Sequence, residues 1–247
     1  MLDDEEHRRY QDQGFLGPYR AMGADEAQQL AATVSHDVVG PDQLAVGPRV
    51  HCRHLDSRLV FELCTIPSVL DRVAALLGPD LVLWRSNVWH KAPGAAAVAW
   101  HQDFNHWPLE PMVNVSVWLA LTEATVKNGC VHVVPGSHHE VRSLEVAGQG
   151  DPFQESVVTG PSDEAEAVPM VLEPGEYFIF SEKLVHRSGI NTSAAPRTGV
   201  VSRLTTPAVR VNHDELLNGR HRNIVVRGED HHGLNRLTSP PPNVASL

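Results

Sequence analysis

His101 and Asp103 stand two residues apart in the stretch AWHQDFNHWP, residues 99–108. On an extended strand, side chains at i and i+2 leave the same face, roughly 6.6 Å apart along the backbone, so an imidazole and a shorter carboxylate can lean toward one point. Pro108 interrupts regular pairing, which puts the pair at a strand end where a site can open. A chain with 15 histidines produces such a triplet by chance, so the pair needs a third ligand.

His186 supplies one, 83 residues after Asp103 and just beyond an apolar strand-like run. Ligands this far apart in sequence are expected when they come from different strands of a closed sheet. Two histidines and one carboxylate on one side of a metal leave positions open for a bidentate cosubstrate and O₂, the requirement of non-haem Fe(II). Structural zinc instead takes four closed ligands, so the set reads as catalytic. Arg197, eleven residues past His186, can return on the next strand and grip the distal carboxylate of 2-oxoglutarate with its planar fork. Ser188 shares the strand face of His186 and can add a hydroxyl to that grip.

The elements that would position these residues change character near residue 80. Before it, GADEAQQLAATVSHDVV and TIPSVLDRVAALLGPD have helical apolar spacing, the second with Ser68 as a candidate N-cap and Gly78-Pro79 as a stop. From Leu81 the period becomes two. LVLWRSNVWHK, MVNVSVWLALTEA, VPMVLEPGEYFIF, LVHRSGI and TGVVSRLTT are short β-type runs separated by Asn128-Gly129, Pro135-Gly136 and Pro174-Gly175. Many short strands predict a sandwich or jelly roll. Residues 1–80 are therefore expected to be a helical part, 81–210 the jelly-roll core and 211–247 an extension of one domain. Thr159 to Val168 is expected to be a mobile loop and TSPPPNVASL a tail.

Composition narrows the function. With 20 Lys+Arg against 30 Asp+Glu, the formal net charge of -10 opposes nucleic acid and anionic membranes, leaving a small-molecule substrate as the expected partner. Monomer and homodimer both remain open. No apolar run approaches the ~18 residues of a membrane span, and MLDDEEHRRY resembles neither a secretory signal nor a transit peptide. Three cysteines, Cys52, Cys64 and Cys130, form no Cys-x-x-Cys pair, so a reducing cytoplasm is expected.

WHQDFNHWP, VNVSVWLALTEATVKNGCVHVVPGSHH and LVHRSGINTSAAPR resemble the phytanoyl-CoA dioxygenase family of Fe(II)/2-oxoglutarate-dependent oxygenases. The likeness runs from YQDQGFLGPY through LWRSNVWHKAPG to RGED, nearly the whole chain. It implies a mainly β fold with flanking α, a cupin-like double-stranded β-helix with N-terminal helices packed outside. It also implies iron at His101, Asp103 and His186, 2-oxoglutarate at Arg197 and Ser188, and Lys91 and Trp118 lining the cosubstrate pocket. Halogenating relatives replace the carboxylate ligand by a small residue. Asp103 is retained here, which favours hydroxylation or a related oxidation of an unactivated C–H bond, with release of succinate and CO₂.

Other residues carry two readings each. Asn114, Ser116 and Trp118 share a strand face opposite Val113, Val115, Val117, Leu119 and Leu121. With the family analogy, the polar face lines a cavity and the valines pack outward on helices. Phe104, Asn105 and Trp107 lie just past the ligand pair, where they can contact substrate or serve the core. His106 is as readily an ordinary loop residue. Arg203 shares the parity of Arg197 and can meet an anionic substrate group or pair with an acidic residue. His138 and His139 follow Pro135-Gly136 and read as turn residues. A zinc or manganese lyase or hydrolase on the same barrel is one rival reading; a non-catalytic 2-oxoglutarate or metal sensor is the other.

Overall fold

A computed structural model of the chain describes residues 2–40, 50–147 and 155–242. Its helices are α1 (Asp4–Gln13), α2 (Ala24–Val34), α3 (Arg58–Cys64), α4 (Pro67–Leu77) and α5 (Pro161–Glu166). Its strands are β1 (Phe15–Arg20), β2 (Leu81–Lys91), β3 (Val98–His101), β4 (Leu109–Glu110), β5 (Val115–Ala120), β6 (Val131–Val133) and β7 (Leu144–Val146). Beyond them come β8 (Glu155–Val157), β9 (Val168–Pro169), β10 (Glu176–Ser181), β11 (His186–Ser188), β12 (Arg197–Thr205), β13 (Arg210–Val211) and β14 (Ile224–Arg227).

A six-stranded sheet in the order β1-β10-β5-β12-β2-β14 packs against a four-stranded sheet, β3-β11-β6-β9. The two meet in a core that joins Trp118, Phe178, Phe180 and Val201 of the larger sheet to Val131 and Val133 of the smaller. All pairings within both sheets are antiparallel. This is the mainly β, double-stranded β-helix that the sequence leads one to expect.

The period of two decides which face each residue serves. Val115, Val117 and Leu119 of β5 join a cluster with Val34 of α2, Val60 of α3 and Val73 of α4, so the outward valines are covered by helices. Burying each such side chain is worth roughly 1.5–3 kcal/mol. Trp118 and Ala120, one position out of phase, turn to the interior between the sheets.

Several local expectations need correction. The acidic start is α1, closed by a capping box in which Asp3 accepts from Glu6 N–H at 2.8 Å and Glu6 accepts from Asp3 N–H at 3.2 Å. Gly14 ends it in the left-handed conformation, and the chain enters the edge strand β1. Ser68 is not the cap of α4: Pro67 occupies the first turn behind Ile66, where its missing N–H has no cost. The expected mobile loop at 159–168 contains α5. Asp163 holds its start by accepting from Gly160 N–H at 2.7 Å and pairing with Arg142 at 2.7 Å. The tail is tied down through Thr238, whose N–H donates to Asn223 O at 2.9 Å, while residues 243–247 lie outside the described residues.

Candidate functional site

His101 closes β3, His186 opens β11, and the register sets them directly opposite, with ring centroids 4.0 Å apart. Asp103 follows at the start of a single 3-10 turn, Asp103–His106. Between the two candidate ligands, buried Gln102 anchors the strand end. Its amide donates to Glu140 O at 2.7 Å and to Lys183 O, and its oxygen accepts from Arg142 N–H at 2.9 Å. Ser137 of the PGSH turn holds the other side: its hydroxyl donates to Val134 O at 2.6 Å and accepts from Val185 N–H at 2.9 Å, next to His186.

One ligand-type atom from each of His101, Asp103 and His186 lies within 4.8 Å of the other two, and all three residues are buried. His101 Nδ1 is 2.9 Å from Ala99 O and His186 Nδ1 is 2.8 Å from Leu184 O. A carbonyl only accepts, so this network assigns the proton of each neutral ring to Nδ1 and its lone pair to Nε2, the form that ligates a metal. Burial, followed by the neighbouring His186, pushes His101 down to about 3, and burial also lowers His186. Both rings are therefore neutral at physiological pH. For Asp103, burial works to raise the pKa, but the Arg203 guanidinium and then the two imidazoles hold it below the usual carboxylate range. Two neutral imidazoles and an anionic carboxylate at this spacing could hold a divalent ion.

These side chains open onto a cavity whose wall also includes Trp118, Ser188, Arg197 and Arg203. Arg197 is 2% exposed, and its Nε and one terminal nitrogen have no hydrogen-bond partner among the described residues. Burial draws its pKa down to about 10, so it stays charged. A buried guanidinium without an acid costs several kcal/mol unless a ligand supplies the missing acceptors. It sits 5.1 Å over the Trp118 ring. Gly199, two residues on, makes room for that indole: a Cβ there would come 2.5 Å from the Trp118 ring. The loop that leads into β12 is shaped by Asn191, whose amide donates to Lys91 O at 2.8 Å and Ala195 O at 2.9 Å.

The structure gathers His101, Asp103, His186, Ser188, Arg197, Trp118 and Arg203 on one cavity. Other expected contacts fall elsewhere. The Lys91 ammonium donates to Ala96 O at 2.7 Å and Gly189 O at 2.6 Å, and Lys91 is not part of the wall. Asn114 is buried away from the wall, accepting from Trp84 Nε1 at 2.7 Å and donating to Ser116 at 3.1 Å. Trp107 packs edge-on against Trp84 at 5.2 Å, and Phe104 is half-buried with the Lys183 ammonium 5.5 Å above its ring. Asn105 keeps a buried amide nitrogen with no partner among the described residues. None of these three belongs to the wall, because the chain turns at Asp103 and carries them past the opening. Of the two readings offered for Arg203, the structure shows the pairing with an acidic residue, 3.4 Å from Asp103 Oδ2, and the side chain also lines the cavity. His106 is exposed, and His138 is a turn residue bonded to Gln11 O at 2.9 Å. Trp89 and Phe180 of the wall were not anticipated, although counting back by twos from Lys91 and along EYFIF points at both.

Comparison with known proteins places these features in context. Residues 10–199 match the family model described as phytanoyl-CoA dioxygenase (PhyH). A dioxygenase of Epichloe uncinata, lolE1, is 29% identical over 131 residues, 53% of this chain and 48% of that protein. The chain spans about half the length of several curated relatives it matches. Among solved structures, the non-heme monooxygenase ThoJ superposes with a TM-score of 0.76 at 27% identity, covering 96% of this chain and 88% of that one. CytC3 with Fe(II) and alpha-ketoglutarate superposes with a TM-score of 0.74 at 26% identity, covering 96% of this chain and 93% of that one.

Proposed function

The chain belongs to the phytanoyl-CoA dioxygenase family, and from that premise we propose that it is an Fe(II)- and 2-oxoglutarate-dependent dioxygenase oxidising a C–H bond of a small-molecule metabolite. When bound, the iron with 2-oxoglutarate and O₂ supplies the oxidation of an unactivated carbon, with succinate and CO₂ released. Residues 1–247 then act as one oxygenase domain. The observation that carries the reading is the pairing of two features: three buried ligand-type side chains within 4.8 Å of one another, with both imidazole protons held on Nδ1, and a buried Arg197 with two donors that lack acceptors among the described residues.

The chain's own residues do the positioning. His101, Asp103 and His186 hold the metal on one side, with Ala99 O and Leu184 O fixing the ring orientations. Arg197 and Ser188 receive the distal carboxylate of 2-oxoglutarate, and Trp118 packs beside it. Lys91 supports this end of the cavity by tying the carbonyls of Ala96 and Gly189 together. Retention of Asp103 as an anionic ligand favours hydroxylation or a related oxidation over halogenation. Substrate enters from the side of Arg203, past the turn that carries Phe104, Asn105 and Trp107.

The chain carries three buried free thiols, which supports a reducing, cytoplasmic setting. No helix among the described residues is long and apolar enough to cross a membrane.

Succinate release tests the proposal. Purified chain supplied with Fe(II), 2-oxoglutarate and O₂ is expected to turn 2-oxoglutarate into succinate, and Arg197→Ala to stop it. Turnover of a substrate with zinc or manganese and no 2-oxoglutarate, undisturbed in Arg197→Ala, would instead support a lyase or hydrolase.

A further inference from the structure

The inner faces of β2 and β12 carry cations at both ends. In the antiparallel register Arg197 stands opposite Lys91, Gly199 opposite Trp89, Val201 opposite Asn87, and Arg203 opposite Arg85. The first rung faces the 2-oxoglutarate end. The last lies six residues further along, about 20 Å by strand rise, and of its two arginines Arg203 lines the cavity while Arg85 is outside the wall. Like charges placed directly opposite on neighbouring strands destabilise a sheet unless something between them is negative.

Little among the described residues answers that charge. Among the described residues, Asp103 is the only carboxylate within ion-pairing distance of either arginine, 3.4 Å from Arg203. Arg85 has no carboxylate partner there; its terminal nitrogen reaches His51 Nδ1 at 3.4 Å. His51 Nδ1 also accepts from the Asn87 amide, so this ring is a neutral acceptor and adds no charge of its own. Asn87 in turn accepts from Arg203 through its side-chain oxygen. Arg203 is 6% exposed, faces the cavity and retains a buried Nε with no partner among the described residues. The charges do not close once the site is loaded. Ferrous iron, Asp103, the 2-oxoglutarate dianion, Arg197 and Arg203 leave one net positive charge, and Arg85 makes it two.

We infer that Arg203 on the cavity wall, supported by Arg85 opposite it on the neighbouring strand, forms an anion-binding end of the cavity, so that the substrate is a small oxyacid held by its carboxylate or phosphonate head group. The inference rests on the oxygenase reading and names its substrate class. Because the same guanidinium of Arg203 touches Asp103, the head group is anchored close to the metal. The carbon to be oxidised therefore lies only a few bonds from the acid. Asn87 and His51 link the two arginines through hydrogen bonds, and a guanidinium offers a carboxylate or phosphonate two parallel donors.

The test uses the whole chain, anaerobic, saturated with Fe(II) and 2-oxoglutarate, with calorimetric titration of three probes of equal chain length: hexanoate, hexylphosphonate and hexanamide. Formation of the iron–2-oxoglutarate complex is followed on the same samples by its charge-transfer absorption, so failure of the underlying reading registers separately and removes the inference with it. At least one acid is expected to bind ten-fold or more tightly than the amide, and which one does identifies the head group. Arg85→Gln is expected to weaken that acid at least ten-fold and Arg85→Lys to recover part of the loss, with thermal melts reporting folding of each variant. Equal binding of acids and amide, no binding of either acid, or wild-type acid affinity in a folded Arg85→Gln would overturn the proposal. The comparison of probes on the wild-type chain decides the question even if a variant fails to fold.

Discussion

Two pairs of buried histidines lie in this protein, and they do opposite things. His101 and His186 lie tilted against each other with ring centroids 4.0 Å apart; His213 and His221 do so at 5.0 Å. In the second pair every ring nitrogen is occupied internally. Arg236 N–H donates to His213 Nε2 at 3.1 Å, His213 Nδ1 and His221 Nδ1 share one proton at 2.8 Å, and His221 Nε2 donates to Trp84 O at 2.6 Å. In the first pair the Nδ1 of each ring meets a backbone carbonyl, and a carboxylate stands within ligand distance of both rings. Burial and adjacency alone do not make a metal site. What separates the pairs is where the second nitrogen of each ring is directed.

The largest effect that can break this contrast is at the ligands. Asp103→Ala and His186→Ala are each expected to weaken Fe(II) binding by more than the roughly 100-fold that loss of a supporting partner brings. Anaerobic equilibrium dialysis measures this, and wild-type affinity in either variant would remove the distinction. Arg197→Ala comes next. Removing one member of a buried charge pair costs roughly 2–5 kcal/mol, so 2-oxoglutarate affinity should fall at least about 30-fold while Fe(II) still binds.

Acid sharpens the contrast from the other side. Burial, opposed by the bond to Trp84, pushes His221 down to about 4 from an ordinary 6.5. A folded-state pKa below the unfolded value means the unfolded chain takes up the proton first. The stability held by the neutral ring is complete above pH 6.5 and is lost as pH falls toward 4, by on the order of 3 kcal/mol. Urea unfolding of the metal-free chain at pH 7 and pH 5 is expected to show the decline, and a flat profile would contradict the neutral chain of bonds. The smallest effect is His213→Ala, which leaves His221 and the Arg236 amide short of a partner. It should lower stability by roughly 1–3 kcal/mol and leave Fe(II) affinity unchanged.

The contrast also explains what was legible in the sequence. The parity of His101 and Asp103, the distance to His186 and the return of Arg197 are properties of a period-two chain, and each can be counted along the sequence. Phe104, Asn105 and Trp107 were placed by nearness along the chain to the ligands, but the 3-10 turn at Asp103 breaks the strand geometry on which that nearness depended. Lys91 shares a rung with Arg197, yet its flexible stem bends to the carbonyls of Ala96 and Gly189, a choice that parity does not determine. The helix α1 shows no apolar period because it buries none of its residues; its signal is the Asp3–Glu6 capping box. The pairing of His213 with His221 depends on a turn, Leu217–Gly219, whose Asn218 is left-handed, and no periodicity announces that contact.

The central claim is that one ion is gripped through the Nε2 atoms of His101 and His186 and a carboxylate oxygen of Asp103. The most direct measurement is an anaerobic crystal structure of the chain grown with Fe(II) and 2-oxoglutarate, with anomalous data collected at the iron edge. One iron per chain at those three atoms, with the 2-oxoglutarate distal carboxylate on Arg197, is the predicted result. Iron bound at His213 and His221, or at ring nitrogens flipped to present Nδ1, would contradict the account.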